Sequence, residues 1–333
     1  MRSLFLVVPK AEGEVIRKNL LEMGALNKEI RIESNAETIF IPVTREVNLG
    51  FRMVEREARA IEKRPRSYGE LADVPDEVRS LLPTSFDVIG EIIVVKLPEE
   101  LLPFSKEIGR AMMEAYRGIR TVAVDEGVKG DFRVRKLRVI HGDDSLATVH
   151  RAYDVSLEVD LSTCYFSPRI AAETWRIAKQ VKEEEVVVDM FCGVGPFALT
   201  IAKHAKPAKI HAIDSNPQAI HYLERNIARN KILNVKPTLG DSGDVMKDIT
   251  DATRVIIDLP HSSRIFFEPA IGSVGKGTIH YYEILEETDV ERRIEDLEAI
   301  ADEAGKTVRL TGTRRVRSFS PSHAHFVLDL RVS

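Results

Sequence analysis

Residues 185–204, EVVVDMFCGVGPFALTIAKH, predict a strand, a tight turn and a helix in immediate succession. The three consecutive valines are apolar and β-branched, as in a strand that is buried on both faces of a sheet. Asp189 ends this run, and Gly193 and Gly195 permit the turn that follows. Pro196 stands where the first turn of a helix tolerates proline. Such a unit is typical of α/β folds.

The same residues contain the spacing G-x-G-x-x-G/A, from Gly193 to Ala198, which is typical of dinucleotide-binding turns. Two features argue against a dinucleotide. Asp189 would repel a diphosphate, and Pro196 lacks one of the N–H groups that would bind it. An acidic site suits a ligand with a sulfonium, an amine and a single carboxylate better. We therefore expect S-adenosylmethionine as the cofactor.

From residue 168 onward, strand and helix patterns alternate, which is typical of a doubly wound sheet. Seven strands are predicted, and the last two form a hairpin-like pair. This arrangement predicts an α/β, class I (Rossmann-like) methyltransferase domain over residues 161–333. The strands are predicted at residues 186–188, 209–213, 235–239, 254–257, 277–284, 308–310 and 326–331, and the helices at 170–181, from 196, at 217–230 and at 289–304.

Two small α+β domains are predicted before this sheet. The first covers residues 1–66, with strands at 4–8, 30–32 and 38–41 and a helix at 12–23 that turns Val15, Leu20 and Met23 inward. A linker at 67–84 contains a helix at 68–82. The middle domain covers residues 85–160, with a helix at 104–116 and strands at 87–89, 92–95, 121–124, 132–140, 150–154 and 156–161.

Acidic residues stand at the ends of four successive strands of the predicted sheet: Asp189, Asp214, Asp241 and Asp258. Ligands of open α/β sheets bind outside the carboxyl ends of the strands, so the four meet at one edge. Asp214 stands where an acidic residue binds ribose hydroxyls, and Asp241 where the adenine amino group would lie. Each aspartate alone is also typical of a helix N-cap. Four together favour a cofactor site.

The composition limits which other classes of protein and of binding site are expected. With a net charge of −4 and a pI near 6.2, nucleic-acid contacts must come from local basic clusters. Cys164 and Cys192 have no partners at metal-ligand spacing, so we expect no metal site and interpret both as packing residues. Neither a signal peptide nor an apolar run of membrane-spanning length is recognisable. We expect a soluble, cytoplasmic protein that does not bind membranes.

Four motifs identify a resemblance: GDFRVRKLRVIHG (130–142), YFSPR (165–169), DMFCGVGPF (189–197) and DLPHSS (258–263). Together they resemble the archaeal tRNA (guanine-37-N1) methyltransferase family, which includes wybutosine-pathway enzymes that act on the same nucleotide. The resemblance implies a first domain that contacts the outer corner of tRNA, and methyl transfer from S-adenosylmethionine to N1 of guanosine 37. It also implies a cofactor site formed by Tyr165, Asp189, Phe191, Gly193, Gly195, Asp214, Ser215, Asp241 and Asp258.

Methylation at N1 of guanine needs a base, because N1 carries a proton, and a cationic donor for the oxygen that gains charge. Glu173, on the helix after YFSPR, is the candidate base. Arg133 and Arg135 alternate along a predicted strand and so point to one face. One would bind O6 and the other a phosphate, and the resemblance ties catalysis to Arg133. Pro260 and Asp258 would line the pocket of the target base.

Asp258 departs from the family pattern, since most guanine-N1 members have asparagine at this position. This departure makes C7 of 4-demethylwyosine, a tricyclic wyosine precursor, a second candidate for methylation. One alternative is the transfer of the aminocarboxypropyl group of the same cofactor, which would release a different sulfur by-product. Another is a non-catalytic RNA-binding module, against which the intact acidic residues and Glu173 argue.

The predicted partner is a tRNA with guanosine at position 37, bound by a monomer with a large surface. Its phosphates would contact several separate basic clusters, and binding would weaken as salt rises. The clusters are residues 129–138, then Arg314, Arg315 and Arg317 near Phe319, and finally Arg59, Lys63, Arg64 and Arg66.

Overall fold

A computed structural model describes residues 2–61, 67–130 and 132–333. The chain divides into two compact units, Met1–Arg66 and Ser67–Ser333. Lys63, Arg64 and Arg66, which we predicted to contact RNA, lie outside the described residues, as does the side chain of Lys129. No helix in the described part is long and apolar enough to cross a membrane.

The first unit is a four-stranded antiparallel sheet with one helix packed on it. Its elements are β1 (Arg2–Pro9), α1 (Gly13–Glu22), β2 (Glu33–Ser34), β3 (Thr38–Val43) and β4 (Met53–Glu57). The strand order is β2-β3-β1-β4, so β1 is central and pairs with β3 and β4. Leu6, Val8 and Ile41 from the sheet pack with Leu20 from the helix in its core.

Several predictions for this unit are wrong. Residues 30–32 form no strand, because Ile30 makes only an isolated bridge to Ala60, and β4 was not predicted. The helix buries Ile16 with Leu20, whereas Val15 is 62% and Met23 44% exposed. The true stripe from Gly13 through Ile16 to Leu20 follows the helical spacing i, i+3, i+7.

The second unit begins with a four-stranded mixed sheet in the order β5-β6-β7-β8. Only β6 and β7 are parallel, and they are connected through a helix. The elements are a 3-10 turn at Tyr68–Glu70, α2 (Asp76–Arg79), β5 (Asp87–Ile89), β6 (Ile92–Val95), a 3-10 helix at Glu99–Phe104, α3 (Ser105–Ala115), β7 (Thr121–Lys129) and β8 (Val134–Gly142).

The predicted helix at 68–82 is wrong, because Pro75 stands inside it and a proline disfavours helix in the residue before it. Only short helical turns form on either side. Tyr68, Ala72 and Val74 pack in the core of the β5–β8 sheet, so the segment that we assigned as a linker is part of the folded unit.

The hairpin β9 (Ala147–Ala152) and β10 (Val155–Asp160) follows the middle sheet. Side-chain amides bind the backbone of β10 as a neighbouring strand would. Asn226 accepts from the Glu158 N–H at 2.7 Å and donates to its carbonyl at 3.0 Å, and Asn230 binds Ser156 in the same way at 2.9 and 2.8 Å. The hairpin and Ile89 and Ile92 of the middle sheet share one apolar core with the large sheet.

The large sheet has seven strands in the order β13-β12-β11-β14-β15-β17-β16. All are parallel except β17, which pairs antiparallel with β15 and β16. The elements are α4 (Ala171–Ala178), β11 (Val186–Asp189), α5 (Pro196–His204), β12 (Lys209–Asp214), α6 (Pro217–Asn230), β13 (Val235–Leu239), α7 (Ser242–Val245), β14 (Ala252–Ile257), α8 (Phe267–Ser273), β15 (Val274–Glu286), α9 (Val290–Glu303), β16 (Val308–Ser318) and β17 (His323–Val332).

This topology confirms the predicted seven-stranded class I methyltransferase sheet. The chain proceeds from β11 outward to β13 and then crosses to β14 on the other side. The crevice between the carboxyl ends of β11 and β14 is therefore the switch point where open α/β sheets bind ligands. The prediction for β16 is too short, because this strand extends to Ser318 and reaches the same edge.

Candidate active site

The turn after β11 is built on two glycines with left-handed backbone, Gly193 at φ +52° and Gly195 at φ +96°. A Cβ on Gly195 would lie 2.6 Å from Cδ1 of Leu223, so packing also requires glycine there. A Cβ on Gly193 would have open space, with the Tyr165 carbonyl oxygen at 4.0 Å as its nearest neighbour. The turn therefore leaves an open backbone surface at the start of α5.

Asp189 lies behind this turn. Its side chain is fully buried, Oδ2 accepts the Ala198 N–H at 3.2 Å, and Oδ1 has no hydrogen-bond partner among the described residues. Burial, with the charges of Asp258 and Asp214, raises the pKa of Asp189 to about 8. The residue thus fixes the first turn of α5 from inside.

Asp214 joins the end of β12 to the glycine turn. Its Oδ2 accepts the Gly193 N–H and its Oδ1 the Asn216 N–H, both at 2.8 Å. Burial raises the pKa of Asp214. Ser215 beside it is exposed. These two residues form the rim of the open surface over the turn.

Asp241 is the N-cap of α7, as the alternative interpretation allowed. Its Oδ1 accepts the N–H groups of Gly243 at 2.8 Å and Asp244 at 3.3 Å. The residue is exposed. Phe191 is partly buried against Phe266, with ring centroids 4.8 Å apart. The ring of Phe191 and the N-cap carboxyl of Asp241 therefore lie at the edge formed by the carboxyl ends of β11 to β13.

The acidic groups fit a cationic ligand. Burial is the main cause of the raised pKa values of Asp189 and Asp258. The charge of Asp258 raises the pKa of Asp189 further, and the charge of Glu173 does the same for Asp258. Such crowded carboxyls are stabilised as anions when a cation lies among them. A sulfonium with an ammonium group is such a cation. No group of three or more His, Cys, Asp or Glu side chains in the described part could hold a metal ion.

Asp258 follows β14 and has a side chain that is 20% exposed. Its pKa is raised to about 7 by burial, against the opposing charge of Arg317. Nε2 of His325 lies 3.7 Å from Oδ1 of Asp258. His325 is buried, and burial together with Arg317 and His261 lowers its pKa to about 4. The imidazole is therefore neutral, and the contact is polar but not an ion pair.

The loop from Asp258 to Ser263 is fixed by hydrogen bonds within itself and to β15. Ser263 Oγ lies 2.9 Å from the Leu259 carbonyl oxygen and 2.6 Å from that of Tyr282, and the Pro260 carbonyl accepts the Ile284 N–H at 3.1 Å. Pro260 is partly exposed at the top of this loop. The His261 ring lies 5.5 Å from that of Phe319, on the tip between β16 and β17.

Glu173 is 1% exposed and is surrounded by donors. Its Oε2 accepts from Arg176 Nε at 2.8 Å and from the Tyr282 hydroxyl at 3.3 Å. Arg314 Nε lies 3.0 Å from Oε1, outside hydrogen-bond geometry. Sequence reasoning missed Arg176 and Tyr282. The i, i+3 spacing of Glu173 and Arg176 on one helix was the available signal for the first of them.

Arg133 and Arg135 do not share a strand face. Strand β8 begins at Val134, and Arg133 precedes it with left-handed backbone at φ +53°, so alternation does not apply to it. Burial lowers the pKa of His261, and the positive charge of Arg133 lowers it further. The charge of Arg133 therefore acts on the loop that contains Pro260.

Arg135 is buried in an ion-pair network that the sequence did not reveal. Both of its terminal nitrogens lie 3.0 Å from Asp87 Oδ2, and Arg169 Nε lies 2.7 Å from Asp87 Oδ1. The Arg135 guanidinium carbon is 5.8 Å from the ring centroid of Tyr165, which is 43% exposed. The network fastens the YFSPR segment to the middle sheet, and it occupies Arg135.

Both cysteines are buried free thiols. Burial raises the pKa of Cys164 to about 11 and that of Cys192 well above its usual value. Thiolate chemistry is therefore disfavoured at both positions.

Three family models match consecutive parts of the chain. Residues 6–49 match the tRNA methyltransferase 5 N-terminal domain, residues 71–145 the TYW2 N-terminal domain, and residues 148–310 the TRM5/TYW2 methyltransferase domain. The family models thus cover much of the first unit, the middle sheet, and the large sheet up to the start of β16.

Two curated relatives show how the chain compares along its length. It is 40% identical to "tRNA (guanine(37)-N(1))-methyltransferase Trm5b" of Pyrococcus abyssi, over 99% of both chains. It is 32% identical to "tRNA(Phe) (4-demethylwyosine(37)-C(7)) aminocarboxypropyltransferase" of Methanocaldococcus jannaschii, over 74% of this chain and 97% of that one. Similarity to the N1-methyltransferase is thus both higher and more extensive.

Solved structures agree with the sequence relatives. "The complex structure of aTrm5 and tRNALeu" superposes with a TM-score of 0.82 at 32% identity, over 99% of this chain and 100% of that chain. TYW2 of M. jannaschii in complex with AdoMet superposes with a TM-score of 0.60 at 27% identity, over 75% and 99%. With its fold, its motifs and its full-length relatives in agreement, the chain belongs to the TRM5/TYW2 methyltransferase family.

Proposed function

We propose that the protein is an S-adenosylmethionine-dependent tRNA methyltransferase that modifies N1 of guanosine 37. The observation that supports this most directly is a row of acidic groups from the glycine turn to a buried glutamate. Asp189 is electrostatically coupled to Asp258, and Asp258 to Glu173. A cationic methyl donor at the first two groups would lie beside a base at the third.

Glu173 is the group that removes the N1 proton. As the N1–H bond breaks, its proton passes to the carboxylate, and the nitrogen lone pair forms the new N–C bond while the donor's S–C bond breaks. When bound, S-adenosylmethionine supplies the electrophilic methyl group. Arg314 Nε lies 3.0 Å from Glu173 Oε1, and the Arg314 side chain is half exposed. The incoming guanine can therefore displace Arg314 and make Oε1 of Glu173 accessible.

Arg133 is the candidate donor to O6 of guanine, since that oxygen gains charge as the proton leaves. Its charge acts on His261, in the loop that includes Pro260. Pro260 and Asp258 line the side of the base pocket. A loop nucleotide such as guanosine 37 enters this pocket at low cost, because it is not held in a duplex.

The cofactor site comprises the open backbone at Gly193, in the turn that Gly195 makes possible, with Asp214 and Ser215 at its rim. Tyr165, Phe191 and the exposed residue Asp241 complete it. Asp189 acts from behind the turn, through α5 and through its charge. We further propose that the protein acts as a monomer in the cytoplasm.

The first experiment is nucleoside mass analysis of unmodified tRNA treated with the purified protein and S-adenosylmethionine. We expect 1-methylguanosine at position 37 and S-adenosylhomocysteine as the by-product. With a tRNA that carries 4-demethylwyosine, methylthioadenosine as the only sulfur product would instead establish aminocarboxypropyl transfer. A tRNA that carries 4-demethylwyosine tests the second activity, for which Asp258 is the supporting residue, and the absence of methyl incorporation would eliminate it.

Glu173→Gln tests the base. We expect kcat to fall by about 10²–10⁴-fold, which is the usual contribution of general base catalysis. Glu283→Gln is the matched control, because Glu283 is also a largely buried carboxylate paired with an arginine, Arg293 of α9. It follows Tyr282 on β15 and so faces the opposite side of the sheet from the Tyr282 side chain. Full activity of Glu173→Gln, with normal S-adenosylmethionine binding, would remove Glu173 from the mechanism.

A further inference from the structure

A chain of directly paired polar and charged side chains crosses the large sheet and ends at Glu173. It starts with Glu185, whose two oxygens lie 2.6 and 3.0 Å from Arg254. It continues through His280 and Asp329 to Arg176, the partner of Glu173. All of the links between these side chains are direct and lie between 2.6 and 3.2 Å.

The tautomer of His280 follows from its neighbours. Arg254 Nη1 lies 2.7 Å from Nε2, and a guanidinium can only donate, so Nε2 must accept. The ring proton is then on Nδ1, which donates to Asp329 Oδ1 at 2.6 Å. Burial lowers the pKa of His280, in agreement with a neutral ring. His280 therefore does not compete with Arg176 as a cation beside Asp329.

Asp329 is ionised in this setting. Burial alone would raise its pKa, but hydrogen bonds from His280 and Arg176 outweigh burial and bring the pKa to about 2. Its Oδ2 lies 2.6 Å from Arg176 Nη1 and its Oδ1 3.2 Å from Nη2. Asp329 thus binds the outer fork of Arg176 with two bonds, and Arg176 keeps only Nε for Glu173.

From this geometry we infer that Asp329 is a positioning residue for the base: through Arg176 it orients the Glu173 carboxylate and sets how readily that carboxylate accepts a proton. A lone guanidinium beside Glu173 would hold the carboxylate strongly as an anion and make it a poor base. With Asp329 bound to the other side of the guanidinium, the net charge that Glu173 experiences is smaller. The inference rests on the proposed role of Glu173.

Other groups also face Glu173. They are the hydroxyl of Tyr282 on β15, the guanidinium of Arg314 on β16, and the carboxyl of Asp258 after β14. None of them contacts Asp329 within the hydrogen bonds and ion pairs of the described residues. A change at Asp329 therefore reaches Glu173 through Arg176.

The test is the pH dependence of kcat/KM for methyl transfer in two variants of the full-length protein. In Asp329→Asn, Arg176 loses its counter-charge and holds Glu173 as an anion more strongly, so the acid limb should move to lower pH. In Arg176→Gln, Glu173 loses a cation while the charge of Asp329 remains, so the limb should move to higher pH. We expect opposite displacements of roughly half a pH unit or more, with KM for both substrates changed less than about twofold.

Arg176→Lys and Glu283→Gln complete the experiment. Lysine keeps the positive charge but not the fork, so we expect an acid limb near that of the wild type with a lower kcat. Glu283→Gln should leave the limb in place. Thermal unfolding of every variant separates loss of fold from loss of chemistry, and Arg176→Lys keeps the question answerable if Asp329→Asn does not fold.

A scaffold role for Asp329 would give a different result. Activity would then fall only as far as stability does, and the acid limb would stay in place or move in the same direction in both variants. Either outcome overturns the inference while Glu173→Gln stays inactive. If Glu173→Gln is fully active instead, the proposed base is wrong and the inference fails with it.

Discussion

Asp189 shows how one buried carboxyl links the fold to its ligand. The residue holds the first turn of α5 through Oδ2, and its Oδ1 has no hydrogen-bond partner in the part of the chain that the structure describes. Its pKa is about 8, against an ordinary value of 3.8. In the ligand-free protein, the folded state therefore holds a proton that the unfolded state has already lost at neutral pH.

This difference has a definite sign. Below pH 3.8 both states are protonated, and between 3.8 and about 8 only the folded state is, so the free energy of unfolding falls as pH rises through this window. Asparagine cannot ionise. The melting temperature of Asp189→Asn relative to wild type should therefore increase from pH 5 to pH 8, by roughly 3 °C or more. A difference that is constant over this range would show that Asp189 titrates normally.

The glycine turn illustrates how a short element combines two separate requirements. Gly195 needs both its left-handed backbone and its missing side chain, since a Cβ would meet Leu223 and Leu199. Gly193 needs only its backbone, because the space around it is open. Gly195 thus serves packing and Gly193 leaves room for a ligand, although the two glycines are only two positions apart.

Alanine at these two positions should therefore have different effects. Gly195→Ala should lower the free energy of unfolding by about 2–4 kcal/mol, through steric overlap and backbone strain. Gly193→Ala should lower it by about 1–2 kcal/mol, yet weaken S-adenosylmethionine binding, because its methyl group projects onto the open surface. Denaturant unfolding and calorimetric titration measure the two quantities. Equal losses of stability would contradict this assignment.

Sequence patterns predict the large sheet well for local reasons. Valine runs, Pro196, Pro217 and the glycines of the turn each fix structure within a few residues, and α6 has the predicted bounds, Pro217–Asn230. The patterns fail where two adjacent apolar residues of a helix could each face the core, as Val15 and Ile16 could: Ile16 is buried and Val15 is exposed. They also fail around Pro75, where apolar spacing suggested one long helix.

The residues of the candidate site also fall into those that local sequence patterns predict and those that they do not. Strand ends are predictable because parallel strands bring their carboxyl ends to one edge, and this placed Asp214 and Asp258 correctly at that edge. Pairings over long sequence distances leave no local pattern. Asp87 meets Arg135 and Arg169 across 48 and 82 positions, and Arg176 meets Asp329 across 153. Such contacts emerge only from the packed fold.

For the protein as a whole, an acidic net charge is combined with local basic surfaces. Arg315 and Arg317 lie at the end of β16 beside Phe319, which is 56% exposed. The charge of Arg317 affects the pKa values of Asp258, His261 and His325. This tip therefore borders the pocket that we propose for the target base.

Affinity for tRNA should fall as salt concentration rises. Each of Arg315→Ala and Arg317→Ala should reduce the slope of log K against log salt by about 0.7–0.9, because one phosphate contact is lost. Arg309→Ala is the control, since Arg309 is exposed at the opposite end of β16. Filter binding at several salt concentrations measures the slopes. Unchanged slopes in both variants, or an equal change in the control, would argue against a contact at this tip.

The shared core of the middle sheet, the β9–β10 hairpin and the large sheet limits where a shorter version of this protein could begin. Removing residues 67–160 would expose the faces of Val187 and Phe197 that now pack with Leu157 and Val159. The first unit, by contrast, is built around apolar clusters of its own residues. A cut at residue 66 therefore falls between apolar clusters that share no described residues, and it leaves the interior of the catalytic part intact.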